Sequence, residues 1–301
     1  MDLRKLVERR KLTDRLFAAL GICCVLIALL TLVVLMGDLA RQGLSRIDWQ
    51  FMTSFPSRAA ARAGILSAWV GSLMIMLVTV ITAVPLGVAA GVYLEEYAPK
   101  NRLTTFIEIN ISNLAGVPSI VYGLMALGLF IYQLGMNRST LAGGLTLACL
   151  ILPIVIVATR ESLRTIPSNI REAAFAIGAS KWQVVSHHLL PYSAGGIATG
   201  VIIATSRALG ETAPLITIGA LTFIAFLPPP PVMSEPPFVS FQWLHDEFTV
   251  LPIQMFNWVS RPQPEFQVNA AAAGLVLVAM TLSLNGAAIW LRYRMRKRIK
   301  W

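Results

Sequence analysis

Residues 172–191 read EAAFAIGASKWQVVSHHLLP, and the apolar stretches of the chain are arranged on either side of them. Glu172, Ala173, Ala174 and Phe175 suit a helix. Gly178 adopts a left-handed conformation without steric cost, so it is placed to end that helix. Residues 181–190 suit a second short helix, and Pro191, which has no N–H to satisfy, fits the start of a further span. Ala173, Ala174 and Ala176 are small enough to let another backbone come close. Such a helix–glycine–helix element is either an ordinary amphipathic connection at a membrane surface or a plug for a partner's groove.

The composition around it decides the class. Of 301 residues 56% are hydrophobic and only 13% are charged, and the mean hydropathy is +0.68. A soluble core cannot hide that much apolar surface. Long apolar runs satisfy their backbone inside a bilayer only as helices, and no short alternating segments of the barrel type occur. The fold class expected is therefore an all-α polytopic membrane protein.

Six spans follow. A basic tail, residues 1–15, precedes the run 16–36, about 21 residues and long enough for a ~30 Å hydrocarbon core. Residues 37–64 form an amphipathic outer connection carrying Trp49, Phe51 and Phe55. Residues 65–94 are the second span, with a kink expected at Pro85. The third is firmly apolar over 114–134 and broken by Pro118, while Glu108, Asn110, Ser112 and Asn113 precede it. Those polar residues read either as a surface helix leading in or as a cavity lining. Residues 140–159 are the fourth span, 160–191 an inner loop, and 192 to about 221 the fifth span. Residues 223–267 make a second outer connection, where prolines 228–231, 236 and 237 oppose helix and Trp243, Phe248, Phe256 and Trp258 suit an interfacial belt. Residues 268–291 close the set, followed by the basic tail 292–301.

An even number of spans puts both termini and the 160–191 loop on one side. Charge tests this separately. Of the 25 Lys and Arg residues, eighteen fall on that side, six on the other (Arg41, Arg46, Arg58, Arg62, Arg138, Arg261) and Arg207 in the membrane. The asymmetry makes that side cytoplasmic. The net charge of +10 thus belongs to membrane anchoring and anionic lipid, not to nucleic acid, because no aromatic interleaving accompanies it. Cys23, Cys24 and Cys149 lie in apolar runs, and His187, His188 and His245 show no metal-ligand spacing. No convergent catalytic set is present, and no G-x-x-x-x-G-K-[ST] phosphate loop occurs, so ATP, if used, is hydrolysed by another chain.

Within the fifth span the chain reads ATSRALGETAPLI. Arg207 and Glu211, four apart, share a helical face. A charge at bilayer depth needs a reason: a structural ion pair, or a polar patch lining a path. Arg207 offers a permanently charged planar fork suited to an oxyanion, and Glu211 a neutralising partner. Thr205 and Ser206 read as back-bonding helix residues, and Pro214 as a site that frees backbone groups.

The spacing Glu-Ala-Ala, three residues, Gly, then eleven to Leu190-Pro191 resembles the coupling loop of ABC importer permeases, departing at His188, where that family has an apolar residue. AGVPSIVYGL (115–124), REAAFAIGASKWQVV (171–185), RALGETAPL (207–215) and TVLPIQMFNWVSRPQ (249–263) narrow the resemblance to the A-type permease (PstA) family of phosphate-specific ABC transporters. The resemblance implies a type I ABC importer permease fold, with residues 65–291 as the shared five-helix domain and the first span outside it. It implies an ATPase contact at Glu172, Ala173, Ala174, Gly178, Leu190 and Pro191, and a phosphate path at Arg207 and Glu211. It also implies partners: a homologous C-type permease, an ATPase dimer that carries the ATP and Mg, and an extracytoplasmic phosphate-binding protein. No cofactor is expected in this chain, and the location implied is the bacterial inner membrane. The rivals are a permease for another oxyanion or solute and an ATP-independent channel or secondary transporter; the latter gives residues 172–191 no ATPase to meet.

Overall fold

The computed structural model describes residues 3–231, 238 and 240–296, and among them every regular element is a helix. Lys297, Arg298, Lys300 and the prolines at 236 and 237 lie outside the described residues. Helix α1 runs Leu3–Gly43, so from Leu3 the basic tail is helical and continuous with the first apolar run. Short α2 (Trp49–Thr53) is capped by Asp48, whose carboxylate accepts from the Phe51 N–H. Helix α3 (Leu66–Val92) passes through Pro85 and widens into a π turn at Tyr93–Tyr97.

The third span is the element the sequence described least well. Helix α4 (Arg102–Leu114) and helix α5 (Ser119–Ala126, continued as a π stretch over Leu127–Gln133) meet at 107° across the break at Pro118. Only the fifteen residues Ser119–Gln133, about 22 Å of helix, continue beyond the bend, not all of 114–134. Helix α4 contributes Arg102 and Glu108 to the lining of an open cavity of about 740 Å³, which Glu95, Lys100 and Arg164 line as well. Counting the bent pair as one, six spans are present.

Helix α6 (Thr140–Arg164) continues past the expected end at 159, and α7 (Ser168–Ala176) is the first helix of the inner loop. Helix α8 (Lys181–Gln183) passes through a π stretch, Val184–Leu189, into α9 (Leu190–Gly210) without a break. The fifth span ends at Gly210, eleven residues before the expected 221, because Glu211 turns extended. Pro214 does not loosen that span; it starts the short α10 (Ala213–Thr217), where a missing N–H costs nothing.

Three of the four rings that the sequence assigned to an interfacial belt in residues 223–267 are buried instead. Residues Leu251–Val259 form α11, and the Leu251 N–H donates to Ser72 Oγ at 2.9 Å. Trp258 is fully buried between Phe51 and Phe266, with ring centroids 6.0 and 6.4 Å away. Trp243, Phe248 and Phe51 are buried too, leaving Phe256 exposed. Aromatic rings that look amphipathic in sequence find more contact area against α3 and the last span, α12 (Pro264–Arg296), than at a headgroup layer. The main core lies between α3, α6, α9 and α5, around Ile75, Leu147, Ile151, Ala204 and Leu215.

Candidate functional site

The inner loop is built from two caps in series. Helix α7 ends in a Schellman turn: the Gly178 N–H donates to Phe175 O at 2.9 Å and the Ala179 N–H to Ala174 O at 3.1 Å. Gly178 sits at φ +86°, the left-handed region that the sequence assigned to it, with open space where a Cβ would project. Two residues on, Ser180 opens α8 with a capping box; Gln183 Oε1 accepts from the Ser180 N–H at 2.8 Å. These local hydrogen bonds fix the turn at which the two helices meet.

Their faces divide cleanly. Ala174, Val184, Val185 and Leu189 are buried with Leu163 and Ile166, and Leu190 packs against the same cluster. Glu172, Ala173, Phe175, Gly178 and Trp182 face outward, and Ile177 is 84% exposed. Ala174 is thus small for the chain's own packing, whereas Ala173 is small on the open face. Pro191 is half-buried at the root of α9. The π stretch turns His187 and His188 outward while keeping Val184, Val185 and Leu189 inside, so the histidine at 188 costs no core packing.

A charge network ties this loop to three spans. Arg171 of α7 pairs with Glu96 at 2.7 Å and donates to Ile166 O and Leu163 O. Lys181 lies 4.9 Å over the Tyr97 ring. Arg160, only 5% exposed, pairs with Glu108 of α4 at 2.7 Å and reaches Glu95 at 3.6 Å. Arg164 pairs with Glu95 at 2.9 Å and reaches Glu108 at 3.9 Å. Sequence reasoning used the four basic residues as orientation markers and read Glu108 as part of a surface helix or a cavity lining, without pairing any of them. Their signal was present in the carboxylates Glu95, Glu96 and Glu108, which fall near the ends of apolar runs as Arg160, Arg164 and Arg171 do.

Arg207 and Glu211 come together as expected, but not on one helix. Arg207 is in the last turn of α9, where the helix dipole favours a cation. Glu211 lies beyond the helix end, and its carboxylate turns back to Arg207 Nε at 3.4 Å. Their side chains are 41% and 19% exposed. About 25 Å of helix separates Leu190 from Arg207, which stands at the opposite end of α9. Thr205 and Ser206 donate to Val201 O and Ile202 O, as their spacing predicted. A neighbouring pair joins Ser206 Oγ to Asn285 of α12 at 2.6 Å.

The family described as binding-protein-dependent transport system inner membrane component matches residues 83–301, which include the inner loop and Arg207. The chain belongs to this family. Near-full-length similarity extends to the probable ABC transporter permease YqgI of Bacillus subtilis, 33% identical and covering 96% of this chain and 98% of that one. It extends also to proteins named phosphate transport system permease PstA: 31% identity with that of Xylella fastidiosa (95% and 96% covered) and 32% with that of Mycobacterium leprae (95% and 91% covered). Among solved structures, a chain of the inward-facing MetNI methionine ABC transporter gives a TM-score of 0.57 at 16% identity, over 75% of this chain and 94% of that one. A bacterial importer of the acidic polysaccharide alginate gives 0.65 at 13% identity, over 93% and 96%. At those identities the likeness is one of fold. This transport-system component is accordingly a multi-pass membrane protein with the type I ABC importer permease fold. Its family members are components of transport systems.

Proposed function

We propose that this permease is the membrane subunit of an ATP-driven importer of inorganic phosphate, with Arg207 as its anion contact. The observation that carries the reading is the near-full-length similarity to three phosphate transport permeases at 31–32% identity. The placement of Arg207 agrees with it. A guanidinium far across the bilayer and open on one side of the monomer needs either water or a second subunit over it. A homologous C-type permease facing it would enclose a wet path between the two subunits. Arg207 offers a phosphate its planar fork, and Glu211 takes the fork back when the anion leaves, which keeps binding weak enough for release.

The drive enters at the inner loop. The ATPase of the same transporter, holding ATP and Mg, docks on the outward face made by Glu172, Ala173, Phe175, Ile177, Gly178 and Trp182. Ala174, Leu190 and Pro191 support that face from behind by packing on the spans. Both termini lie on the cytoplasmic side, an extracytoplasmic phosphate-binding protein docks on the outer connections, and residues 65–291 form the domain shared with the companion permease. Closure of the ATPase dimer moves α7, and the spans rock between outward and inward access.

The test is reconstitution in proteoliposomes with the companion permease, ATPase and binding protein. Labelled phosphate should accumulate only with ATP and binding protein together; accumulation of sulfate or molybdate instead would move the chain to another oxyanion. In the same assay Glu211→Gln should lower turnover by about two- to fivefold, the scale of a partly exposed ion pair, and should tighten phosphate binding by freeing Arg207. A complete loss would make Glu211 a gate rather than a counter-charge.

A further inference from the structure

The geometry points to the four charges Arg160, Arg164, Glu95 and Glu108 as an exchangeable joint that passes movement of the inner loop to the bent third span. Two arginines four apart on α6 face two carboxylates from different elements, Glu95 at the end of α3 and Glu108 on α4. All four cross pairs lie within ion-pair reach. Two are short, Arg160–Glu108 at 2.7 Å and Arg164–Glu95 at 2.9 Å; two are long, Arg160–Glu95 at 3.6 Å and Arg164–Glu108 at 3.9 Å. Exchanging short for long re-pairs every charge, so α4 and the end of α3 can shift relative to α6 between two arrangements without stranding the buried Arg160.

Arg160 is the buried member, and an ion pair with a buried partner is a poor way to gain stability, since apolar residues of equal volume do as well or better; its attested use is to fix one register against another. The position of this cluster gives that register a mechanical meaning. Glu96, next to Glu95 in the same π turn, holds Arg171 of α7, so displacement of α7 pulls on the residue beside the joint. Glu108 carries the joint's other side onto α4, and the Tyr122 hydroxyl donates to Leu114 O at 2.8 Å across the bend, tying α4 to α5. Helix α5 in turn abuts α10: a Cβ on Gly123 would lie 2.6 Å from Pro214 Cα. Helix α10 begins two residues after Glu211. A contiguous set of contacts thus runs from the inner loop through the four charges to the backbone beside Arg207 and Glu211. Arg160 is a positioning residue in this scheme; it touches neither nucleotide nor anion. The inference rests on the reading of the inner loop as the ATPase contact, and not on phosphate being the solute.

The experiment uses the assembled transporter, with Cys23, Cys24 and Cys149 replaced by serine and spin labels on Tyr93→Cys and Ile109→Cys, two exposed positions on α3's end and α4. The label separation should change between the nucleotide-free and ATP-bound states. The reciprocal variant Glu108→Arg with Arg160→Glu keeps the short pair but makes both long pairs repulsive. It should assemble with the ATPase, show no ATP-driven change in separation, and transport at about a tenth of the parent rate or less. If that variant moves and transports like the parent, the cluster is a static brace and the inference fails. It fails equally if the parent separation does not respond to ATP. Should the reversed pair not assemble, Glu108→Gln decides in its place: loss of the ATP-driven change supports the joint, and a parent-like change overturns it. The label readout involves no solute, so it remains decisive if the phosphate assignment is wrong.

Discussion

Arg207→Ala abolishes phosphate uptake while leaving the complex assembled. The variant removes the planar donor fork and leaves the Glu211 carboxylate facing the path alone, so attraction for an anion becomes repulsion. Loss of two charge-assisted hydrogen bonds, about 1.5–3 kcal/mol each, corresponds to a fall of at least about a hundredfold in transport. The fold should survive, because the Arg207–Glu211 pair is partly exposed and lies at a helix end, where such pairs contribute little stability. Arg207→Lys should give an intermediate rate, since it keeps the charge and loses the fork. The measurement is ATP-dependent uptake of labelled phosphate alongside co-purification of the ATPase. Uptake that persists at the parent rate in the alanine variant would reduce Arg207 to a structural residue.

Gly178→Val uncouples ATP hydrolysis from uptake. At φ +86° an L-residue costs about 1–2 kcal/mol, and a branched Cβ more. A Cβ there would meet nothing within 4 Å, so the penalty is one of backbone conformation and not of crowding. Helix α7 has nine residues and cannot hold itself without its terminating turn. The valine variant should therefore lose the angle between α7 and α8, with Phe175, Ile177 and Trp182 no longer presented together. ATPase binding weakens by about tenfold, on the scale of the lost turn, and hydrolysis no longer tracks transport. Gly178→Asn, which tolerates the left-handed region, should recover much of the coupling. Coupled transport at the parent rate in Gly178→Val would remove the inner loop from the ATPase contact.

The two sites were legible to different depths. Gly178 was readable because a left-handed helix stop is a one-residue property, and the two hydrogen bonds of the turn follow from it. The Arg207–Glu211 pair was readable from spacing, although the helix that the spacing assumed ends between them. The outcome is the same because a carboxylate one residue beyond a helix end still reaches back one turn. Ala174 was not readable: it is identical in type to its neighbour Ala173, and only the packing of α7 on Leu163 and Val184 turns it inward. Trp258 and Phe248 looked like headgroup anchors, yet both are buried in the interior.

The sequence by itself determined the class and the number of spans, because a bilayer requires long apolar helices, and length and hydropathy are properties of single segments. It also determined where the inner loop turns. The tertiary structure decided which charges meet across as many as 75 residues, where the fifth span stops, and which aromatic rings are interior. The physical reason is that lipid and protein interior are nearly equivalent surroundings for an apolar side chain, so hydropathy sends a residue into the membrane without saying which neighbour it will touch. That choice rests on shape and on pairing of charges between helices, as at Arg160 and Glu108, and neither is written in any one stretch of the chain.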